Sequence, residues 1–171
     1  MGFLRSIFDF IVILFFVSHI PITALVDSQG VFPRDGYPQF ARDMLDNFIR
    51  DFKDPLMTAP LAPWFKALVW SEVLVQFPFF FVGAYAFITR KNWIRIPAII
   101  YGSFVTATMI PIMGALAAHD APGYNKVAVI GFYMPYLVIP ALLVVVMAAN
   151  VKPFATGKTN KTAGRRKAKR G

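Results

Sequence analysis

The sequence of 171 residues contains no cysteine, only two histidines and few charged residues. Without cysteine the chain can form no disulfide, no thiolate metal site and no cysteine nucleophile. Two histidines are too few for a histidine-rich metal centre, so we expect no metal and no cofactor. Charged residues make up 16% of the chain, whereas about a quarter is usual in a soluble domain. These shortages disfavour a disulfide-stabilised secreted domain, a metalloenzyme and an ordinary soluble protein.

Apolar residues make up 57% of the chain and gather into four long blocks. A helix that crosses a bilayer needs about 20 mainly apolar residues. The sequence therefore predicts an all-α integral membrane protein, a bundle of four transmembrane helices. The first block lacks the small-residue cleavage site of a signal peptide, so we interpret it as a retained helix. The predicted spans lie at about 7–27, 64–89, 97–118 and 127–151, with a membrane domain at 1–151 and a basic tail at 152–171.

The link between the first two spans contains a second kind of helical pattern. Phe40, Met44, Phe48 and Phe52 follow one another at four-residue spacing, and charged residues occupy the other side. This spacing predicts a short amphipathic helix. Its charges are of both signs and give no net attraction to acidic lipid. We therefore favour a helix that caps the bundle over one that lies on the membrane surface.

The formal net charge of +9 raises the possibility of a nucleic-acid partner. Eight of the 18 basic residues, however, lie after position 151, in a tail with one aromatic residue, Phe154, and no periodicity. Such a tail is typical of contact with acidic headgroups of membrane lipids. We therefore expect membrane lipids as partners and no nucleic acid.

The distribution of basic residues also predicts the orientation of the chain. With four spans both termini share one side, and Arg5, the turn at 90–95 and the tail place 12 of the 18 basic residues there. The positive-inside rule then puts both termini in the cytosol and the amphipathic helix in the lumen. Lys167 and Lys169, near the C-terminus, match a dibasic retrieval signal of endoplasmic reticulum residents. A basic tail can also match that pattern by chance.

Two acidic residues within the spans are candidates for a functional site. Glu72 lies eight residues after Trp64 in the second span, where a charge costs about 2.5–3.5 kcal/mol. Asp27 closes the first span, so both carboxyl groups lie toward the luminal half. If they meet, they are expected to share one proton and to form a counter-ion for a buried ammonium. The alternatives are a helix-end residue at Asp27 and a structural hydrogen bond at Glu72.

Other polar side chains could complete a pocket around these acids. Gln76 lies one helical turn after Glu72 on the same face. Hydroxyl groups in membrane helices more often tie helices together, and a histidine is more often an interhelical donor than a catalyst. The candidates on the other spans are His19, Tyr101, Thr108, Tyr133 and Tyr136.

Every predicted span, and the link before the second, carries a distinctive motif: SHIPIT at 18–23, FKDPL at 52–56, WFK at 64–66, QFPFF at 76–80, WIRIPAIIY at 93–101 and PYLVIP at 135–140. In order and spacing these motifs resemble the sigma-receptor branch of the EXPERA-domain family. Its members are four-helix membrane proteins related to the sterol isomerase called emopamil-binding protein.

The resemblance implies an endoplasmic reticulum receptor that binds sterols and lipophilic amines in a pocket open to the bilayer. It implies that Asp27 pairs with the ligand amine and that Glu72 hydrogen-bonds to Asp27. Asp54 matches an aspartate linked to ligand binding, although its luminal place suggests support of the cap. The resemblance further implies a role in cholesterol homeostasis, through the Niemann-Pick type C cholesterol transporter, and a homodimer. The implied pocket-lining positions are Gln76, Tyr101, Thr108 and Tyr136.

Three function classes are consistent with the sequence. The leading hypothesis is a non-catalytic receptor that holds a ligand amine on Asp27 and Glu72. The alternative is a sterol double-bond isomerase, in which Asp27, Glu72 and His19 would act as acid and base around a carbocation. The third is a structural or chaperone-like membrane partner without a ligand.

Overall fold

The computed structural model describes residues 2–154, and the lysines of the predicted retrieval signal, Lys167 and Lys169, lie outside this part. Within it the secondary structure is helical, without β-strands, which confirms the predicted all-α class. The α-helices of the described residues are α1 (Phe3–Leu25), α2 (Gln39–Phe52), α3 (Pro63–Ser71), α4 (Phe77–Ile88), α5 (Arg95–Ala118) and α6 (Lys126–Ala149).

Four helical stretches are long and apolar enough to cross a membrane, which confirms the predicted four-span architecture. α1 packs along α4, and α5 packs along α6, so the bundle consists of two helix pairs. The stretches are Phe3–Gly30, Pro63–Ile88, Asn92–Ala118 and Lys126–Ala149.

Two glycines allow the helices of each pair to approach closely. A Cβ atom at Gly102 of α5 would lie 2.7 Å from the carbonyl oxygen of Pro140 in α6. A Cβ atom at Gly83 of α4 would lie 2.7 Å from the ring of Phe16 in α1. Small residues at helix crossings are a common device in membrane proteins, where van der Waals contact drives association.

The second span differs from the continuous α-helix that the sequence predicts. α3 and α4 are joined by a π-helical turn, Glu72–Gln76, in which the N–H of Phe77 donates to the carbonyl oxygen of Glu72. Pro78 follows directly; it has no N–H, and its ring crowds the preceding turn. A widened turn relieves this crowding, and such turns are frequent at functional sites. Its two end residues, Glu72 and Gln76, both face the interior of the bundle.

The predicted amphipathic helix is α2, and it caps one end of the bundle. Gln29, just after α1, donates from Nε2 to the carbonyl oxygen of Ala41 at 2.9 Å. At the other end, the N–H of Asn125 donates to the carbonyl oxygen of Phe52 at 3.2 Å. α2 ends there because Lys53 adopts a left-handed conformation, with φ of 51°. Polar contacts thus hold α2 at both ends.

The opposite end of the bundle is closed by a charged cluster that was not predicted from the sequence. Asp9 of α1 is buried and accepts from Nε of Arg5 at 2.7 Å, and Nη2 of Arg90 lies 3.8 Å away. The buried ring of Phe154 lies 5.6 Å from the guanidinium carbon of Arg5 and 5.3 Å from that of Arg90. The N–H of Phe154 donates to Oδ1 of Asn92 at 2.9 Å. These contacts fix the segment after α6 against α1 and α4.

Candidate ligand-binding cavity

A cavity of about 420 Å³ lies between the two helix pairs, beneath α2. Its volume is within the range of about 300–1,000 Å³ that is usual for small-molecule sites. Apolar side chains from all six of the α-helices named above form most of its wall. Among them are Phe15, Leu45, Phe65, Val69, Val105, Met109 and Ile112.

The structure brings Asp27 and Glu72 together at this cavity. Asp27 begins a 3-10 turn directly after α1, and Glu72 begins the π-helical turn of the second span. Their carboxyl groups are within hydrogen-bonding reach of each other. Thr23, one turn before Asp27, donates from Oγ1 to Oε1 of Glu72 at 2.5 Å. Two carboxyl groups in such contact cannot both ionise easily.

Two aromatic side chains and one histidine add polar atoms to the cavity wall. His19 and Tyr101 are both buried and both line the cavity. Nδ1 of His19 faces the carbonyl oxygen of Phe15 at 2.5 Å and must donate to it, which leaves Nε2 as an acceptor in the neutral ring. Nε2 of His19 and Oη of Tyr101 have no hydrogen-bond partner among the described residues. The ring of Tyr136 lies edge-on to the His19 ring, with centroids 4.6 Å apart.

Gln76 and Thr108 also line the cavity. The hydroxyl of Thr108 donates to the carbonyl oxygen of Val105 at 2.9 Å, so its proton is used within α5. The six positions predicted to bind ligand, together with His19, therefore lie around one cavity: Asp27, Glu72, Gln76, Tyr101, Thr108 and Tyr136.

Asp54 lies behind the cavity wall rather than in it. Its side chain is fully buried and accepts from the N–H groups of Leu56 at 2.8 Å and Met57 at 3.3 Å. Oδ2 accepts from the hydroxyl of Tyr133 at 2.9 Å. Burial raises the pKa of Asp54, while these hydrogen bonds and the nearby His119 oppose the rise. Because Met57 and Tyr133 line the cavity, Asp54 holds two parts of its wall in place.

Several residues that line the cavity or contact its acidic pair were not predicted from the sequence. Thr23, near the end of α1, lies four residues before Asp27, a spacing of about one helical turn that could have indicated a partner. Met44, Leu45 and Phe48 belong to the predicted apolar stripe of α2, but the stripe alone does not show which surface it covers. The hydrogen bond from Thr23 to Glu72 and the packing of α2 over the cavity both depend on contacts between distant parts of the chain.

Comparison with known proteins gives a consistent result over most of the chain. Residues 40–147 match the EXPERA family, the EXPanded EBP superfamily. Sigma intracellular receptor 2 of Xenopus tropicalis is 40% identical over 157 residues, which cover 86% of this chain and 91% of that protein. The protein of the same name in Homo sapiens is 38% identical over 156 residues, with 84% and 88% covered.

A more distant relative is Efficient mitochondria targeting-associated protein 19 of Schizosaccharomyces pombe. It is 28% identical over 141 residues, which cover 80% of this chain and 73% of that protein. The family match includes Glu72 and begins after Asp27, whereas the similarity to the two receptors extends over most of the chain. The resemblance inferred from the short motifs is thereby confirmed, and the chain belongs to the EXPERA family.

Proposed function

We propose that this protein is a non-catalytic membrane receptor that binds sterols and lipophilic cationic amines in the cavity between its helix pairs. One observation carries the proposal: the cavity is mainly apolar, and a single pair of carboxyl groups, Asp27 and Glu72, supplies its acidic charge. The apolar walls suit a sterol-sized hydrocarbon skeleton, and the pair suits an ammonium group. The similarity to the two receptors supports the same function.

Asp27 is proposed to form the salt bridge, with Glu72 in a supporting role. Glu72 already accepts from Thr23 and lies within hydrogen-bonding reach of Asp27. If the shared proton resides on Glu72, this residue donates to Asp27 and holds the Asp27 carboxylate in position. A buried charge is tolerated when it is paired and hydrogen-bonded, and the ligand ammonium completes the pairing.

Replacement of Glu72 by Gln is expected to weaken amine binding by less than about tenfold. The amide retains a donor toward Asp27 and an acceptor toward Thr23, so the orientation of Asp27 is largely kept. Equilibrium binding of a lipophilic tertiary amine to the purified variant measures the effect. A loss as large as that caused by Asp27→Asn would show that the two roles are assigned wrongly.

The proposal as a whole is tested by direct binding to the purified full-length protein in lipid nanodiscs. We expect saturable binding of a lipophilic tertiary amine and its displacement by cholesterol. A photoreactive sterol probe should label the wild-type protein, and excess amine should prevent the labelling. Absence of saturable binding of both ligand classes would contradict the proposal and favour a structural role without a ligand.

The second candidate is a sterol double-bond isomerase. The observation that favours it is that Asp27, Glu72 and His19 line one cavity, so an acid and a base could act on opposite parts of a sterol. Expression in isomerase-deficient cells, followed by sterol profiling, distinguishes the two functions. Restored isomerisation would overturn the receptor proposal, whereas an unchanged sterol profile supports it.

We also propose a location and partners for the receptor. The excess of basic residues on the side of both termini supports an orientation with cytosolic termini, and the C-terminal lysines support residence in the endoplasmic reticulum. The family resemblance supports a role in cholesterol homeostasis, contact with the Niemann-Pick type C cholesterol transporter and a homodimer. Co-purification from membranes tests both partners.

A further inference from the structure

We infer that ligands reach the cavity through a mouth between α2 and α6, and that the side chain of Phe132 gates this mouth. The inference rests on the proposed function, because it concerns the path taken by the same lipophilic amines. It assigns a kinetic role to a residue that does not belong to the carboxyl pair.

The mouth is identified by residues that belong to both the cavity wall and the outer surface. Of the cavity-lining residues in the described chain, Met44 and Phe132 alone are more than one-third exposed, at 54% and 49%. Met44 lies one turn before Phe48 on α2, and the ring of Phe48 lies 5.4 Å from that of Phe132. The two exposed lining residues thus mark one opening at the seam between α2 and α6.

The seam is closed by aromatic contacts. The ring centroids of Phe52 and Phe132 are 4.9 Å apart, and those of Phe48 and Phe52 are 5.3 Å apart. No hydrogen bond of residues 2–154 joins the stretch from Met44 to Phe48 with α6; within that stretch Asp46 accepts from Nη2 of Arg34, which precedes α2, at 2.8 Å. Rotation of Phe132 can therefore open the seam at the expense of ring contacts alone, without breaking hydrogen bonds.

Two other paths into the cavity are closed. At the far end of the bundle, the buried Asp9 and Phe154 pack against Arg5 and close the bundle. Between α5 and α6, the approach of Gly102 to the Pro140 carbonyl leaves no room for a passing ligand. The seam beside α2 is thus a part of the wall that side-chain rotation can open, and it is the part that carries the exposed lining residues Met44 and Phe132.

The position of the mouth relative to the bilayer, near one membrane surface, suits the entry of a charged amphiphile. α2 carries charges on one face and exposes Phe40 and Met44 on the other, a pattern typical of a helix at the boundary between water and lipid. A lipophilic amine in a bilayer keeps its ammonium at this level, because moving a charge to the bilayer centre is costly. Asp27 is at the same end of the bundle, where Gln29 joins α1 to α2. The ammonium can thus reach Asp27 without crossing the bilayer centre.

The test measures binding kinetics of a fluorescent lipophilic tertiary amine on the full-length protein in nanodiscs. Phe132→Ala should raise the association and dissociation rates together by about tenfold, with the dissociation constant changed by less than about threefold. Phe132→Trp should lower both rates. Phe81→Ala is the matched control, because Phe81 on α4 is also 49% exposed and does not line the cavity; its rates should equal those of the wild type.

Unchanged rates in both Phe132 variants would overturn the inference, and so would a change confined to dissociation, which would make Phe132 an ordinary contact. If the wild-type protein binds the amine saturably, the proposed function stands even where the inference about Phe132 fails.

A second experiment uses the absence of cysteine from the chain. Phe48→Cys combined with Phe132→Cys allows α2 and α6 to be bridged by a short, reducible bifunctional reagent. Bridging should slow association and dissociation by about tenfold, and reduction should restore both rates. The two single-cysteine variants, treated identically, are the controls. If the amine associates and dissociates equally fast with the bridge intact and with the bridge reduced, the inference is overturned.

Discussion

Asp27→Asn should reduce the affinity for a lipophilic tertiary amine by about 100-fold or more. Removing one partner of a buried ion pair costs about 3–5 kcal/mol, and each 1.4 kcal/mol corresponds to about a tenfold change in affinity. The asparagine side chain is similar in size to the native aspartate, so the shape of the cavity would change little. Equilibrium binding to the purified variant measures the loss.

The matched controls for this prediction separate charge from folding. A neutral sterol has no ammonium, so its affinity for the Asp27→Asn protein should fall much less than that of the amine. Asp51→Asn changes an exposed carboxylate of α2 that pairs with its neighbour Arg50, and it should leave amine affinity unchanged. Equal losses of amine and sterol, or unchanged amine affinity, would show that Asp27 does not pair with the ligand.

Asp54→Ala should have the largest effect on stability. It would leave the buried N–H groups of Leu56 and Met57 and the hydroxyl of Tyr133 without their acceptor. A buried donor without a partner costs about 1–3 kcal/mol, so we expect a loss of about 2–4 kcal/mol. Thermal unfolding in detergent, followed by circular dichroism, measures it. Amine affinity should fall as well, because Met57 and Tyr133 would no longer be held in the cavity wall.

Asp54→Asn is the control, because its amide oxygen can still accept from Leu56 and Met57. It should recover more than half of the lost stability, and a variant as unstable as Asp54→Ala would contradict this account. The pH dependence gives an independent check, because burial raises the pKa of Asp54 in the folded protein above its usual 3.8. The folded state then binds the proton more tightly, so this residue stabilises most at low pH and less as pH rises through the raised pKa. Asp54→Asn should abolish that contribution.

Local patterns were sufficient for most of the fold. Long apolar blocks predicted the four spans, and the four-residue spacing from Phe40 to Phe52 predicted an amphipathic helix where α2 lies. The π-helical turn at Glu72–Gln76 was not predicted. Pro78 was visible, but a proline can be accommodated by a kink, a break or a widened turn, and the surrounding packing selects among them.

The candidate site was only partly accessible from the sequence. A carboxyl group within an apolar span has a high free-energy cost, which made Glu72 a candidate site residue. The predicted topology suggested Asp27 as its neighbour. Thr23 and Phe132 were missed, because a threonine and a phenylalanine are ordinary residues in a membrane helix. Their roles depend on which distant residue each one faces: Thr23 faces Glu72, and Phe132 faces Phe48 and Phe52.

The sequence by itself therefore determined that this chain is an all-α membrane protein with four spans and a capping amphipathic helix. Those features follow from composition and periodicity, which act on neighbouring residues along the chain. Only the tertiary structure decided that Asp27 and Glu72 meet at one cavity with Thr23 bonded to Glu72, that Asp54 lies behind its wall, and that Phe132 contacts Phe48 and Phe52 of α2. The physical reason is that each of these contacts joins residues from different helices, and the packing of the bundle sets their distances.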